Sequence, residues 1–306
     1  MISIIICSKS PSLFAAVSAN IKATIGVPFE IIGIENSDGK YSICKAYNIG
    51  AGKAKYDIFC FAHEDILFVT QNWGINVIDH LKDPSVGLIG IMGADPMLIV
   101  PFYPELRVES NVIFVNVDTG VQTHNFETVN ADDQSIIKET LGVDGTLMIT
   151  RRNVFEEFQF DDSTLTAFHG YDVDYSIQVQ SKYKVCVVFD VLLKHYFKGG
   201  ANRSYVIEML KLTRKWKSLL PLSLNPISHS EHIRLHWIGM AKFVESMIQY
   251  NFKSPYILKQ YFYLSFNRFF RFKPFISVFK RVIVPKIYID IKNILKAKPR
   301  LVPFSK

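Results

Sequence analysis

Cysteine is scarce in this sequence, and no two of its cysteines are closely spaced. The four are Cys7, Cys44, Cys60 and Cys186, and three of them lie inside apolar runs. Closely spaced pairs would indicate a zinc site or a disulfide framework, so neither kind of cross-link is predicted here. With 306 residues the chain can bury a hydrophobic core without one. Reduced thiols that pack as small hydrophobic groups are typical of a reducing cytoplasm.

Long apolar runs are also absent. No stretch approaches the roughly 18 uninterrupted apolar residues that a membrane-spanning helix needs. The first apolar stretch, Ile2–Cys7, follows the initiator methionine without a basic region and is too short for a signal peptide. We therefore expect a buried first strand in a cytoplasmic protein that does not span a bilayer.

Glycines are missing where two common nucleotide-binding motifs require them. The residues after the first apolar stretch are Ser8-Lys9-Ser10-Pro11-Ser12, which excludes the glycine-rich turn of a Rossmann dinucleotide site. The segment Gly50–Ala54 has some features of a P-loop. A Walker motif, however, needs glycine where Tyr47 stands and Ser or Thr where Ala54 stands.

Acidic residues almost disappear after Tyr250. Of the 35 basic and 28 acidic residues, thirteen basic residues and one acid, Asp290, lie from Asn251 onward, so this segment carries about +12 and the rest about −5. Basic residues mixed with Phe and Tyr suit an anionic membrane surface, and we expect peripheral attachment to the inner face of the cytoplasmic membrane. Packing of the aromatic residues on the body is an alternative. No nucleic-acid-binding motif is present, and we expect no nucleic acid partner.

Short apolar runs rich in β-branched residues predict strands, and helical patterns lie between them. The predicted strands are Ile2–Cys7, Phe29–Ile34, Asp57–Ala62, Val86–Met92, Asn111–Val117 and Lys184–Phe189, and the predicted helices are Ser12–Ile25, Tyr41–Ala54, Asn72–Leu81 and Tyr171–Ser181. This alternation predicts an α/β fold with a mostly parallel central sheet flanked by helices. Three further helical patterns predict a helical C-terminal extension: Arg203–Leu220, Ser230–Tyr250 and Pro255–Phe270. We expect a nucleotide-sugar-binding and catalytic domain over residues 1–200 and a helical, basic and aromatic region over residues 201–306.

The predicted strand Asp57–Ala62 ends abruptly in the polar triplet His63-Glu64-Asp65. Ligands of α/β proteins bind at the carboxyl ends of strands, where a carboxylate can hold Mg²⁺ or Mn²⁺ against phosphate oxygens. An N-cap for the following turn explains the triplet equally well. A second set of metal-competent residues, at helical spacing, is better explained as a solvated helix face: His229, His232 and His236.

The order of motifs around this triplet resembles the inverting GT-A glycosyltransferases, close to the large family 2 group. Upstream lie the acid-containing turn Glu35–Gly39 and the helical element Asn48-Ile49-Gly50. Downstream lie Val143-Asp144-Gly145, the segment Phe168–Tyr175 and His195. The subgroup with a His-x-Asp motif is the most similar. The resemblance spans about two-thirds of the chain and implies a GT-A-like fold related to the Rossmann fold.

The resemblance also implies roles for individual residues. Asp65 would be the principal ligand of a divalent metal, Mn²⁺ or Mg²⁺, and His195 a second metal or diphosphate contact. Mn²⁺ tolerates an imidazole ligand better than Mg²⁺ does. The residues implied in binding the donor nucleotide are Ser8, Glu35, Asn48, His63 and Asp65. Whether His63 binds metal, touches ribose or only packs stays open.

Asp172 matches the catalytic base of this family, which takes the proton of the acceptor hydroxyl. An acid in the first turn of a helix is also favoured by the helix dipole, so a purely structural role is the alternative. Asp174 could serve instead. The residues implied in acceptor binding are Trp73, Asp144, Gly145 and Asp174, although Trp73 could equally pack in the core and Asp144-Gly145 could form a simple turn.

The resemblance thus implies an inverting glycosyltransferase that moves a sugar from a nucleotide-diphosphate donor, expected to be a UDP-sugar, to a glycan or lipid-linked acceptor. Synthesis of bacterial surface polysaccharide or lipopolysaccharide is the expected setting. A sugar nucleotidyltransferase is one alternative, but it usually carries a glycine-rich, basic loop after the first strand. A non-catalytic carbohydrate-binding or scaffold protein on a degenerate transferase fold is the other.

Overall fold

The computed structural model describes residues 1–100, 107–127, 135–197 and 202–297. The chain divides into two compact units. The first comprises Met1–Met97 and Leu106–Asn225, and the second Leu98–Glu105 and Pro226–Lys306. None of the described helices is both long and apolar enough to cross a membrane.

The first unit contains the strands and six helices of the described residues. The strands are β1 Ile2–Ser8, β2 Phe29–Glu35, β3 Ile58–Ala62, β4 Ile66–Phe68, β5 Val86–Gly90, β6 Met92–Asp95, β7 Arg107–Asn116, β8 Gln122–Glu127, β9 Ile137–Thr140, β10 Gly142–Val143, β11 Leu147–Arg151, β12 Lys184–Val188 and β13 Leu193–Phe197. The helices are α1 Pro11–Thr24, α2 Ile43–Lys53, α3 Trp73–His80, α4 Arg152–Glu157, α5 Tyr171–Gln180 and α6 Arg203–Trp216.

A seven-stranded sheet in the order β2-β1-β3-β11-β5-β12-β9 forms the centre of this unit. Five of these strands run in one direction, because β11 and β9 are antiparallel to their neighbours. Its middle strands are buried on both faces, as the side chains of Ile4, Ile5 and Ile6 on β1 show. The predicted mixed α/β fold with a mostly parallel central sheet is therefore confirmed.

A second sheet, in the order β10-β6-β7-β13-β4 with β8 paired to β7, was not predicted. The apolar run Val86–Met92 reads as one strand, but the chain leaves the first sheet after Gly90 and enters the second at Met92. The short β4 and the partly polar β13 pair antiparallel, so that His195 lies opposite Ile66. This register places His195 beside Asp65, whose carbonyl oxygen accepts a hydrogen bond from the Tyr196 backbone N–H at 2.8 Å.

The boundary between the compact units lies at Asn225, about 25 residues beyond the predicted boundary at 200. The reason is α6, which is held to α5 by a buried polar cluster. Lys215 Nζ lies 2.8 Å from Asp174 Oδ1 and 2.7 Å from Asp161 Oδ2, and the Trp216 indole N–H donates to Asp174 at 2.7 Å.

The described part of the second unit is helical, as predicted. Its helices are α7 His229–Gln249, α8 Ser254–Ser265, α9 Phe272–Val278 and α10 Val284–Ala297, with one π-helical turn at Phe279–Ile283. Apolar residues from α7 and α8 form its interior, among them Met240, Phe243 and Ile257. Tyr261 is fully buried and donates its hydroxyl to the Phe275 carbonyl oxygen at 2.6 Å.

Candidate active site

A cavity of about 530 Å³ opens where β1, β2 and β3 end. Its wall is formed by the residues that follow these strands, together with the segment before α5 and the start of α6. The lining residues include Lys9, Asn36, Lys40, Tyr41, His63, Glu64, Asp65, Phe168, His169, Asn202 and Ser204. Two lysines and two carboxylates in one cavity can bind a polyanion together with a cation.

Glu64, for which the sequence suggested no role, holds the loop between β1 and α1. Its carboxylate accepts hydrogen bonds from the Ser8 hydroxyl at 2.8 Å and from the backbone N–H groups of Lys9 and Ser10 at 3.0 and 3.1 Å. Hydrogen bonds to a charged acceptor are worth roughly 1.5–3 kcal/mol each. Glu64 thus fixes the loop that carries Lys9 into the cavity.

Asp65 lies between two imidazoles. Its Oδ1 is 3.7 Å from His63 Nδ1 and 3.6 Å from His195 Nε2. One ligand atom from each of the three residues lies within 4.8 Å of the others. Since His63 and Asp65 follow β3 and His195 lies on β13, the junction of the two sheets creates this cluster.

The chemistry of the cluster fits a divalent cation. The Oδ1 atom of Asp65 is buried and has no hydrogen-bond partner among the described residues, and a buried unpaired carboxylate oxygen is costly. Burial lowers the pKa of His63, which favours the neutral, ligating imidazole. Burial opposes ionisation of Asp65, but the neighbouring imidazoles of His195 and His63 lower its pKa overall.

Asp172 lies in the first turn of α5, which begins after Gly170 in the left-handed region at φ +81°. Its carboxylate accepts hydrogen bonds from the backbone N–H groups of Gly145 at 3.1 Å and Val173 at 2.9 Å. Burial, and then the charge of Asp144, raise its pKa to about 7. A carboxyl with a pKa near neutrality is suited to taking up a proton during a reaction.

Asp144 and Gly145 form the turn that faces Asp172. The Asp144 carboxylate accepts hydrogen bonds from the backbone N–H of Thr146 at 2.9 Å and from the Thr146 hydroxyl. These hydrogen bonds hold the turn in place beside the candidate base Asp172. Its predicted role in acceptor binding stays a prediction.

Three residues implied in nucleotide binding occupy different environments. Ser8 does not line the cavity, but it donates its hydroxyl to Glu64, which does. Glu35 is exposed at the end of β2, and hydrogen bonds from Ser37 lower its pKa, so it is an ionised acceptor. Asn48 instead donates its amide to the Phe160 carbonyl oxygen at 2.8 Å and does not line the cavity, which corrects its expected role to one of bracing the loop after α4.

Two residues implied in acceptor binding are buried. Trp73 is fully buried, stacks on Phe68 at 4.0 Å and donates its indole N–H to the Thr24 hydroxyl, so no ring face is available to a sugar. Asp174 is 1% exposed and bound to Lys215 and Trp216. Both expectations are corrected to structural roles, packing for Trp73 and anchoring of α6 for Asp174.

The histidines of α7 are not gathered around a common point. His232 stacks on Phe269 at 5.2 Å, and His236 is buried, which lowers its pKa to about 4. Within the described residues, the cluster of His63, Asp65 and His195 is the only set of three metal-competent side chains at ligand spacing. The α7 histidines therefore form no metal cluster among the described residues, but the predicted solvated helix face is wrong for His236, which is 2% exposed.

Two solved structures are similar to this chain, and the first of them supports the fold assignment. The crystal structure of GalNAc-T7 with UDP, GalNAc and Mn²⁺ is 12% identical, with a TM-score of 0.53 over 96% of this chain and 57% of its own. The chain thus spans little more than half of that protein. The mannosyltransferase PcManGT from Pyrobaculum calidifontis, in complex with GDP-Man and Mn²⁺, is 12% identical, with a TM-score of 0.49 over 97% and 88% of the two chains.

No curated protein matches the sequence significantly. The model of a glycosyltransferase-like family, however, matches residues 3–203, which contain the cavity wall from Lys9 to Asn202, the cluster around Asp65 and the helix that carries Asp172. Together with the α/β fold of the first unit, this match confirms the glycosyltransferase family, whereas the inverting type and the His-x-Asp subgroup stay predictions. The chain belongs to this glycosyltransferase-like family.

Proposed function

We propose that the protein transfers a sugar, with inversion at the anomeric carbon, from a nucleoside-diphosphate sugar to the hydroxyl of an acceptor. The observation that carries the proposal is a chain of hydrogen bonds that connects Asp172 with the cluster around Asp65. Asp172 binds the Gly145 N–H, the Gly145 carbonyl oxygen binds the Tyr171 hydroxyl, and that hydroxyl binds His63 in the cluster around Asp65. A base and a cation site are thus held in one network.

For the donor, Asp65, His63 and His195 are the residues that would hold Mn²⁺ or Mg²⁺. The ion would offset the charge of the diphosphate leaving group. GalNAc-T7, a fold relative, binds UDP and Mn²⁺, which supports a UDP-sugar. Lys9 and Lys40 contribute further positive charge in the cavity, and Glu35 can accept hydrogen bonds from a nucleoside.

For the acceptor, Asp172 is the proposed base. The acceptor oxygen forms a bond to the anomeric carbon, the bond from that carbon to the diphosphate oxygen breaks, and the acceptor proton moves to Asp172. The diphosphate leaves with the electron pair of the broken bond. The backbone N–H of Gly145 orients the Asp172 carboxylate.

Thermal unfolding with UDP or GDP, each with and without Mn²⁺, is the first test. We expect stabilisation by a nucleoside diphosphate only when Mn²⁺ is present. Metal-independent stabilisation, or none with any nucleotide, contradicts the proposal. When a donor is known, NMR of the product decides the stereochemistry, since a product with retained configuration refutes inversion.

Asp172→Asn distinguishes an enzyme from a non-catalytic carbohydrate-binding protein. Transfer should fall about 10²–10⁴-fold, the usual contribution of a general base, while nucleotide binding stays. Asp79→Asn, which alters an exposed acid paired with Lys82, is the matched control. Unchanged function in Asp172→Asn favours the non-catalytic alternative, and release of pyrophosphate from a nucleoside triphosphate favours a nucleotidyltransferase.

We also propose that the second unit binds an anionic membrane, and that the acceptor is a lipid-linked glycan of the bacterial surface polysaccharide or lipopolysaccharide type. Support comes from an apolar cleft of about 430 Å³ lined by Ile233, Trp237 and Ile238 together with Arg234, Lys242 and Arg281. Exposed aromatic side chains lie in the same unit, including Phe266, Phe272 and Tyr288.

The membrane proposal is tested by co-sedimentation with vesicles of phosphatidylglycerol and, separately, of phosphatidylcholine. We expect binding to the anionic vesicles, weakening as salt increases. Phe272→Ser and Arg281→Glu should each reduce it, whereas Val69→Ser and Lys82→Glu in the first unit, at exposed positions, should not. Equal binding to both lipids, or equal loss in both pairs of variants, contradicts the proposal.

A further inference from the structure

The hydroxyl of Tyr171 lies between a carbonyl oxygen and an imidazole nitrogen. It donates to the Gly145 carbonyl oxygen at 3.0 Å and lies 2.9 Å from His63 Nε2. Tyr171 is 3% exposed, and a Cβ at position 145 would overlap its hydroxyl oxygen. The glycine thus leaves room for the ring to reach His63, and the hydroxyl has little freedom to turn elsewhere.

The two contacts of the Tyr171 hydroxyl with Gly145 and His63 favour one form of His63. A phenol has one proton and a carbonyl oxygen can only accept, so that proton is used by Gly145. The contact with His63 then requires Nε2 to carry the hydrogen and donate it to the Tyr171 oxygen. A neutral imidazole protonated on Nε2 has its lone pair on Nδ1, and Nδ1 is the atom 3.7 Å from Asp65 Oδ1.

Without a cation, that pair of atoms is unfavourable. The Nδ1 lone pair faces a buried carboxylate oxygen that has no hydrogen-bond partner among the described residues, so two acceptors face each other with no proton between them. The second imidazole lies near the same oxygen, because His195 Nε2 is 3.6 Å from Asp65 Oδ1, and its Nδ1 is 3.4 Å from the Thr146 hydroxyl.

We propose that Tyr171 is a positioning residue: its hydroxyl holds His63 as the Nε2–H tautomer and thereby makes Nδ1 a ligand of the divalent cation, beside Asp65 and His195. This inference rests on the proposed metal-dependent function. It assigns His63 to metal binding rather than to ribose contact or packing. It also gives a reason for the tyrosine at position 171, directly before Asp172. A long side chain with a terminal hydroxyl is needed there to reach from α5 to His63, which follows β3.

The direct test is titration of the full-length protein with Mn²⁺ alone, with free Mn²⁺ followed by electron paramagnetic resonance. In Tyr171→Phe, His63 can take the other tautomer and donate Nδ1–H to Asp65, a bond that the cation must break. Loss of an outer partner of a metal ligand typically weakens metal affinity about 10–100-fold, and we expect a rise in Kd of that size. The matched control is Tyr175→Phe, one turn later on α5, which removes a buried hydroxyl with no described hydrogen bond to His63, Asp65 or His195. Its Kd should equal that of the wild type.

A second pair of variants tests the ligating atom and does not depend on the folding of Tyr171→Phe. The amide of His63→Asn can place an oxygen near the position of Nδ1, whereas that of His63→Gln reaches toward Nε2. We expect the Asn variant to bind Mn²⁺ more tightly than the Gln variant. Equal affinity of Tyr171→Phe and wild type, or a Gln variant that binds better than the Asn variant, overturns the inference. Absence of Mn²⁺ binding by the wild type overturns the metal-dependent function itself.

Discussion

Asp172→Asn should remove activity and at the same time make the folded protein more stable at alkaline pH. In the folded state the pKa of this carboxyl is raised from 3.8 to about 7, first by burial and then by the charge of Asp144. Ionising it in the folded protein therefore costs free energy that the unfolded chain does not require. An asparagine keeps an oxygen for the Gly145 N–H and carries no charge.

The size and pH dependence of this effect follow from the shift. Roughly three pH units at about 1.36 kcal/mol each correspond to ~4 kcal/mol, and we expect about 2–4 kcal/mol because the carboxyl is partly exposed. The folded state holds the extra proton between pH 4 and 7, so the stability of the wild type falls over this window as pH rises, and the cost is complete above pH 7. Below pH 4 the carboxyl is protonated in both states, and the difference from Asn vanishes.

Urea unfolding at pH 8 and pH 4 measures this difference. Asp174→Asn is the matched control, two residues along the same helix, because the same substitution there leaves Lys215 without one of its two carboxylate partners. It should destabilise the protein by about 3 kcal/mol, as expected when a buried ion pair is broken. If Asp172→Asn is less stable than the wild type at pH 8, the folded protein does not disfavour the ionised form of the Asp172 carboxyl. The argument for a base with a raised pKa then fails.

Three further predictions concern the surroundings of the base and of the cavity. In Asp144→Asn, the pH at which kcat/KM reaches half of its maximum should shift to below about 7, because the substitution removes a negative charge that raises the pKa of Asp172. A pH profile of kcat/KM checks this. Glu64→Gln should lower the free energy of unfolding by about 1–3 kcal/mol and weaken nucleotide binding, because it loses charged acceptors of the β1–α1 loop; urea unfolding and calorimetric titration with UDP and Mn²⁺ check this. Lys215→Met should lower both stability and kcat, whereas Lys182→Met, at an exposed ion pair, should change neither in the same assays.

Five strands of the central sheet, β1, β2, β3, β5 and β12, could be predicted from their uninterrupted apolar runs, and all of these except the edge strand β2 are mostly buried. The second sheet could not, because β4 has three residues and β13 contains Lys194 and His195. β13 is a strand because it pairs with β4 on one side and β7 on the other, although its own sequence has no clear strand pattern. Long-range pairing of this kind leaves no local signal, so the contact of His195 with Asp65 could be inferred only from the family resemblance.

In the candidate site, Asp65 and Asp172 could be identified as acids at a strand end and at a helix start, but their roles were implied only by the family resemblance and stay predictions. Trp73 and Asn48 were misplaced, because an aromatic ring or an amide near a site in sequence can equally face the core, as Trp73 does against Phe68. Glu64 was passed over because its partners, the backbone N–H groups of Lys9 and Ser10, belong to a loop 54 to 55 residues away.

The helix α5 shows why neighbouring residues of one motif serve different purposes. Successive residues of an α-helix point about 100° apart, so positions 171, 172 and 174 point in different directions. Tyr171 reaches His63, Asp172 meets the turn at Gly145, and Asp174 is held by α6. Rotation of α5 about its axis would move the first two contacts in concert, and the bonds of Asp174 to Lys215 and Trp216 oppose that rotation. The buried ion pair therefore has a consequence beyond stability: it sets the angle at which the base and the imidazole partner enter the site.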